Sequence, residues 1–592
     1  MSTRSFRTKD TERTTFHPRL LGKHGAVACH HYLSADAAAD ILKTGGNAVD
    51  AAVAAVLVEG LTNPQMHTLG GECPFLICMA GDNRVHAING NTAAPGQATP
   101  HNYRARGLSV VPDEGILAAG VPAAFGALMT ALMQFGRLPF SAVSAYARTL
   151  AKQGFPAHRG LLRQERFGLH DLAMKFRSTW QGSSDLYLTG EHPPREGDLI
   201  RNFSFVNLLD HLCEVERKVK SDRVTSLTAV RDEFYKGDPA TEIANFSAAR
   251  DGFLTLDDLN RFETFVEDPV SLEFHDVRLF KCGFWNQGPA MLQALSILNN
   301  WELSALGHNS AEYLHLVIEA IKLAYADREQ WYGDPTQNEI PAEALLSDAY
   351  GRLRAQLIDP AQANGELRPG DPRNGMRSVL PLEEQFDMAA WGPGTVHVDV
   401  VDADGSMVAA TPSGGWLKSS EVIPALGFPL GNRLMTFYLG PTHHPNCVAP
   451  YRRPRTTISP SLAQKNGKPW LAFGSMGGDQ QDQWQLQFFL NCVVFGMSLQ
   501  EAIEAPKLSS EHFPAFFAPH DHFPNRIRIE PLVGEATLRE LAACGHDIDL
   551  GPDWSEGHLL AVARDPESGI LEAGCDPRSM KSDIFPACAR CW

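Results

Sequence analysis

No uninterrupted apolar run in the chain approaches the ~20 residues of a membrane-spanning helix. The first stretch, Met1 to Lys23, is polar and basic with no apolar segment, so it is not a secretory signal. The expectation is a cytoplasmic protein. Positive charge is in deficit, with a net charge of −17, which argues against nucleic acid or an anionic membrane as partner. No repeat of fixed period is present. The Gly-x-Ser-x-Gly elbow is missing, which argues against an α/β-hydrolase serine. Gly70-Gly71 stands beside the apolar stretch Cys73–Met79, but neither phosphate-binding glycine pattern follows, so it reads as a tight turn. The eleven cysteines are scattered and odd in number, and they read as reduced core thiols. Cys588 and Cys591 form one C-x-x-C with no second pair nearby, so neither a zinc site nor a redox role is expected. His30 and His31 point apart on a strand and read as structural. No metal or cofactor is implied.

What is present is an ordinary globular composition in a chain of 592 residues, 44% hydrophobic and 20% charged. Length alone allows about four domains. Gly25–Cys29 reads as a strand. Ser34 is positioned to cap a helix from Ala35 to Lys43, and a second, alanine-rich helix runs from Ala48 to about Glu59. Cys73–Met79 and Val85–Asn89 read as strands, and Gly115–Gln164 as helices. The apolar spacing of Leu314, Val317, Ile318, Ile321 and Leu323 predicts a helix over Ala311–Tyr325. Asp327 and Arg328 after it read as an exposed or structural ion pair. Residues 359–394 carry Pro360, Pro369, Pro372, Pro381 and Pro393 among charges and glycines, an extended segment that suits either a cleaved linker or a plain surface loop.

Gly392-Pro393-Gly394 leads into Thr395-Val396-His397-Val398-Asp399-Val400. Alternation places Val396, Val398 and Val400 on one face of a strand, with His397 and Asp399 on the other. Asp402-Ala403-Asp404-Gly405 is a turn, and Met407–Thr411 returns as a second strand. A threonine at the mouth of a hairpin, directly after a flexible Gly-Pro-Gly, is well placed to become a new chain start. Its α-amino group would then lie beside its own hydroxyl as a base. Farther on, the strand Lys468–Phe473 delivers Gly477-Gly478 to the start of a helix over Gln480–Phe495. This is either an oxyanion-binding turn or a simple tight one. Ser498 and Glu501 form a capping box. Arg452–Pro460 holds three arginines and several hydroxyls, suited to a carboxylate or to a charged strand edge.

Taken together, the "GGNAVDAAVAA" stretch, the loop before Pro95, Tyr313–Pro335, Gly394–Gly405, Arg453–Ser461 and Gly474–Pro506 resemble the γ-glutamyltranspeptidase family of N-terminal nucleophile hydrolases. The resemblance implies an α+β fold, a four-layer αββα sandwich. It implies one precursor cut before Thr395 into a large piece, 1–394, and a small one, 395–592, which stay together as one domain. Thr395 would be the nucleophile of an N-terminal threonine amidohydrolase or acyltransferase. Thr411 and Ser413 match helper hydroxyls, Gly477 and Gly478 the oxyanion amides, and Thr456 and Thr457 a serine pair that holds the substrate carboxylate. Arg455 joins this substrate-binding set.

The departures fall at recognition positions. Asn91 stands where the family has the arginine that clamps the glutamyl carboxylate, Thr436 where it has an acid, and Gly415 where it has asparagine. Arg433 or Arg455 are the available compensations. "SGGW", "RPRTTISPS" and "GGDQQDQWQLQ" look closer to the acylase and oxamate-hydrolase-like branch. The implied substrate is a small amide of γ-glutamyl, glutaryl or oxamate type. The alternatives are a γ-glutamyl transferase proper and an unprocessed, non-catalytic homologue. The expected partners are the amide and the two pieces of one precursor, with room for a dimer of heterodimers.

Overall fold

The structure is a computed structural model that describes residues 15–188, 190, 192–373, 394–518, 520–581 and 584–592. From 374 to 393, the segment read as an extended linker lies outside the described residues.

The turn at Asp402 is the local origin of the central hairpin. Its Oδ1 accepts the Gly405 and Ser406 amides at 2.9 Å, and Gly405 adopts φ 96°. This local network closes the loop between the strands Val398–Asp402 and Met407–Ala410, whose register pairs Val398 with Ala410 and Val401 with Met407. Asp402 Oδ2 also accepts the Ala48 amide at 3.0 Å, which ties the turn to the first residue of the helix Ala48–Thr62.

This hairpin is the middle of an antiparallel seven-stranded sheet. Its order is Cys588–Cys591, Gly25–Cys29, Val398–Asp402, Met407–Ala410, Phe75–Cys78, Val85–Asn89, Phe265–Glu267. A second antiparallel sheet of seven runs Leu20–Gly22, Leu571–Cys575, Leu559–Arg564, Lys468–Ser475, Ser461–Lys465, Val277–Lys281, Val270–Phe274. The two sheets share an apolar core. Ala28, Leu76, Val401 and Ala409 from the first meet Leu462, Ala472, Leu560 and Val562 from the second. The helices Tyr32–Lys43 and Ala48–Thr62 pack on the first sheet, and Pro289–Leu298 and Gln480–Val493 on the second. Both sheets mix strands from before and after residue 394, so neither portion builds a whole sheet alone.

Several local expectations change. The first helix starts at Tyr32, capped by His31, whose ring nitrogen accepts the Leu33 amide at 3.1 Å; Ser34 falls inside its first turn. Val398 and Val400 face the helices, but Val396 joins the core between the sheets. Residues 395–397 precede the regular ladder; Thr395 bridges to Ser413, and the His397 amide leaves the ladder to donate to His30 Nδ1 at 2.8 Å. Asp327 and Arg328 are buried and do not pair with each other. Asp327 sits 3.4 Å from Arg354, and Arg328 pairs with Glu329 and Asp479. The helix that carries them runs on to Trp331. The capping box of Ser498 and Glu501 is present. Cys588 and Cys591 lie on an edge strand paired with Gly25–Cys29.

Candidate active site

Thr395 is 3% exposed and sits directly before the hairpin strand. The bridge to Ser413 and the Val396 amide, which donates to Pro412 O at 3.0 Å, set it against the turn that leaves the returning strand. Three oxygens converge there. Thr395 Oγ1 lies 2.8 Å from Gly394 O and 3.1 Å from Ser413 Oγ, and Ser413 Oγ lies 2.7 Å from Gly394 O. Arg433 Nη2 donates to Ser413 Oγ at 3.0 Å. Two hydroxyl protons serve three oxygen contacts, so the arrangement has a choice. When Ser413 donates to Gly394 O, its lone pairs are left for Arg433 and for the Thr395 hydroxyl proton. In that state the Gly394 carbonyl oxygen already has a donor.

Glu72 anchors the group. Its backbone exchanges both hydrogen bonds with Ser413 at 2.9 Å, and its carboxylate pairs with Arg433 Nε. The other oxygen accepts the Thr92 amide at 3.3 Å. Burial pushes the Glu72 carboxyl up, while Arg433 pulls it back. A side chain at Gly71 would strike Ser413 O at 2.1 Å, so Gly70-Gly71 is a close-approach turn under the site. Gly415 adopts φ 63°, and a Cβ there would lie 2.4 Å from Thr68 Oγ1 and 2.7 Å from the Gly71 amide. The asparagine found at this position in the family has no room in this chain.

The wall around Gly394 is aromatic. A Cβ on Gly394 would meet Trp416 at 3.0 Å and Phe167 at 3.2 Å. These two rings cluster with Met435, Phe516 and Phe517. Gly477 and Gly478 take φ 126° and 60°, and the helix Gln480–Val493 begins just beyond them. Among the described residues neither glycine amide donates a hydrogen bond, so both remain available to an oxyanion. The Gly478 carbonyl accepts Gln287 Nε2 at 3.0 Å, and the Gln287 amide donates to Thr456 O at 2.9 Å. Asp479 accepts the Phe516 amide at 2.8 Å, which joins this turn to the aromatic cluster. Gln287 thus joins the glycine pair to Thr456.

The remaining candidates have internal partners. Thr411 Oγ1 meets His397 Nδ1 at 2.9 Å, and His397 Nε2 meets Asp399 at 2.8 Å, so Thr411 holds a buried polar chain between the sheets. Burial, with Lys281 adding to it, pushes His397 down to about 3, and burial pushes the Asp399 carboxyl up. Thr456 Oγ1 accepts the Ile458 amide, and Thr457 is buried beside it. Arg455 pairs with Glu329 at 3.0 Å and donates to Arg328 O at 3.1 Å. Asn91 donates to Pro454 O at 2.6 Å. The Thr436 hydroxyl donates to Arg433 O at 2.8 Å, which makes it a brace for Arg433. Glu72 is the residue that sequence reasoning missed. Only its place directly after Gly70-Gly71 marked it.

The sequence model of the gamma-glutamyltranspeptidase family matches residues 34–585. The chain belongs to the gamma-glutamyltranspeptidase family. It is 28% identical to the glutathione hydrolase proenzyme of Escherichia coli K12, over 96% of this chain and 93% of that protein. It is also 28% identical to the oxamate amidohydrolase proenzyme of Klebsiella pneumoniae, over 95% and 98%. Among solved structures, LmbA2991HD is 38% identical with a TM-score of 0.89, covering 97% of this chain and 99% of that one. Cephalosporin acylase from Bacillus halodurans is 26% identical with a TM-score of 0.83, covering 99% of each. Membership makes this chain a hydrolase of a family whose relatives are named as proenzymes. No helix among the described residues is long and apolar enough to cross a membrane.

Proposed function

We propose that the chain is a self-processing amidohydrolase that uses Thr395 twice. The observation that carries this is the set of contacts among Thr395 Oγ1, Ser413 Oγ and the Gly394 carbonyl. In the first use, Oγ1 attacks the Gly394 carbonyl carbon, the C–N bond breaks, and the Thr395 nitrogen takes the hydroxyl proton. Water then hydrolyses the ester, leaving a Gly394 carboxylate and a free Thr395 amine. Ser413, backed by Arg433, stabilises the oxyanion of that step. The pieces are 1–394 and 395–592, held in one intertwined domain of the αββα type. The two sheets with helices on their outer faces are consistent with that architecture.

In the second use, the freed α-amine takes the Oγ1 proton as Oγ1 attacks a substrate amide. The Gly477 and Gly478 amides receive the oxyanion, the proton passes to the leaving amine, and water resolves the acyl-threonine. Thr456 and Thr457 are assigned the substrate's carboxylate, as the family resemblance implies. An amide of oxamate or glutaryl type fits better than a γ-glutamyl amide, because Asn91 and Thr436 are engaged internally and neither carries charge. One relative is named an oxamate amidohydrolase, and others are named glutathione hydrolases.

The test is mass spectrometry of the small piece during turnover of a small amide. The expected result is an acyl adduct on Thr395 and loss of all turnover in Thr395→Ala. Turnover that survives this substitution sinks the proposal.

A further inference from the structure

Gln287 is fully buried in the turn before the helix Pro289–Leu298. Its backbone is registered against Thr456. The Thr456 amide donates to Trp285 O at 3.0 Å, and the Gln287 amide donates to Thr456 O at 2.9 Å. Its side chain reaches the glycine pair, where Nε2 donates to Gly478 O at 3.0 Å. Among the described residues no other side chain hydrogen-bonds either glycine. The orientation of the Gln287 side-chain amide is fixed. Arg328 Nη1 lies 2.9 Å from Oε1, and a guanidinium can only donate, so Oε1 faces Arg328 and Nε2 faces the glycine carbonyl. Arg328 is itself buried, pairs with Glu329 and Asp479, and donates to Pro514 O at 3.2 Å. Asp479 follows Gly478 directly, so Gln287, Arg328 and Asp479 close a ring of contacts around that one peptide.

The glycine turn needs such a clamp. At φ 126° and 60°, Gly477 and Gly478 hold conformations that glycine also leaves at little cost. The bonds the turn makes for itself come from the helix side, Gln480 N to Gly477 O at 3.1 Å and Gln481 N to Gly478 O at 3.2 Å. An oxyanion site works only if its N–H groups are aimed before charge develops. We infer that Gln287 is the positioning residue of that site. The amide and carbonyl of Gly478 are separated by the two soft dihedrals of one residue, so pinning the carbonyl from the Gln287 side limits how far the amide swings. Gln287 acts through Gly478 and not on the substrate. It comes from the large piece, while Gly478 and Thr456 come from the small one, so both pieces supply the working site. This inference rests on the function proposed above and adds the residue that keeps its oxyanion donors aimed. It also separates the two uses of Thr395. Self-cutting draws on Ser413 and Arg433 at the Gly394 carbonyl, whereas turnover draws on the glycine pair, so loss of Gln287 touches turnover alone.

The experiment compares Gln287→Glu and Gln287→Met with the wild type. Glutamate keeps an oxygen for Arg328 and replaces the donor to Gly478 O by an acceptor; methionine keeps the length and removes both groups. Self-cutting is followed as the uncut band on a denaturing gel. On the cut proteins, acylation of Thr395 is followed by stopped-flow release of p-nitrophenol from p-nitrophenyl acetate, and kcat and KM are measured for oxamate and glutaramate. The expected result is cutting within about twofold of wild type, acylation and kcat at least about tenfold lower, and KM within about twofold. Parallel loss of cutting and turnover would make Gln287 a general support of the fold and overturn the inference. So would a rise in KM with kcat unchanged, which would assign Gln287 to substrate binding beside Thr456. A wild type that is cut before Thr395 yet neither releases p-nitrophenol nor hydrolyses an amide would refute the proposed reaction, and the inference with it. Wild-type acylation that both variants match would refute the inference alone.

Discussion

Ser413 is the side chain on which the account of self-cleavage turns. It touches the nucleophile, the carbonyl to be attacked and the guanidinium behind them. Ser413→Ala removes the donor from the Gly394 oxygen, so cutting should slow by about 100-fold, the usual cost of one lost oxyanion donor. A time course of the uncut band on a denaturing gel measures it. Ser413→Thr keeps the hydroxyl and is expected to cut. Thr395 was legible from its place at the mouth of a hairpin, and Ser413 only through the family resemblance. Glu72 was not, because its partner Arg433 is 361 positions away and no local pattern reports such a contact. Asn91 and Thr436 were legible only as departures. What they do instead, bonding Pro454 and bracing Arg433, needed the folded chain.

The hairpin is the element that presents Thr395, and Asp402 is its most exposed weakness to mutation. One carboxylate closes the turn and caps the helix Ala48–Thr62. Asp402→Ala leaves three amides without that acceptor and is expected to cost about 2 kcal/mol, read as a lower denaturation midpoint at unchanged slope. The second sheet meets the hairpin through Gly474, where a Cβ would lie 2.3 Å from the His397 ring. Strands and helices near this core were readable from alternation and capping, as at Ser498 and Glu501. The first helix started earlier than expected because a histidine ring nitrogen did the capping that a serine usually does. The polar face of His397 and Asp399 proved to lie between two sheets. Periodicity gives the face of a strand but not what covers it.

At the scale of the molecule, strands from both sides of residue 394 interleave in each sheet. The two pieces should therefore co-migrate on native size-exclusion chromatography and part only in denaturant. Burial also shapes the response to acid. It holds His67, His158 and His558 down to about 4, and His397, His444, His512 and His546 down to about 3. These rings stay neutral in the folded chain but take up protons in the unfolded one below about 6.5. Their contribution is present above that pH and is lost as pH falls from 6.5 toward 4. Glu59 and Glu556, raised to about 7 by burial, act in the opposite sense, as do the raised carboxyls of Glu72, Glu267, Asp327, Asp399, Asp402 and Glu511, but the lowered rings, with His30, His31, His86, His308 and His520 added, outnumber them. The melting temperature should drop between pH 7 and pH 5.

The central claim is that Thr395 cuts the chain before itself and becomes its own base. The direct measurement is the intact mass and N-terminal sequence of the small piece after purification, beside Thr395→Ala. The account predicts a piece that begins at Thr395 and ends at Trp592 in the wild type, and a single uncut chain in the variant. An uncut wild-type chain, or a new terminus at any other residue, would contradict it.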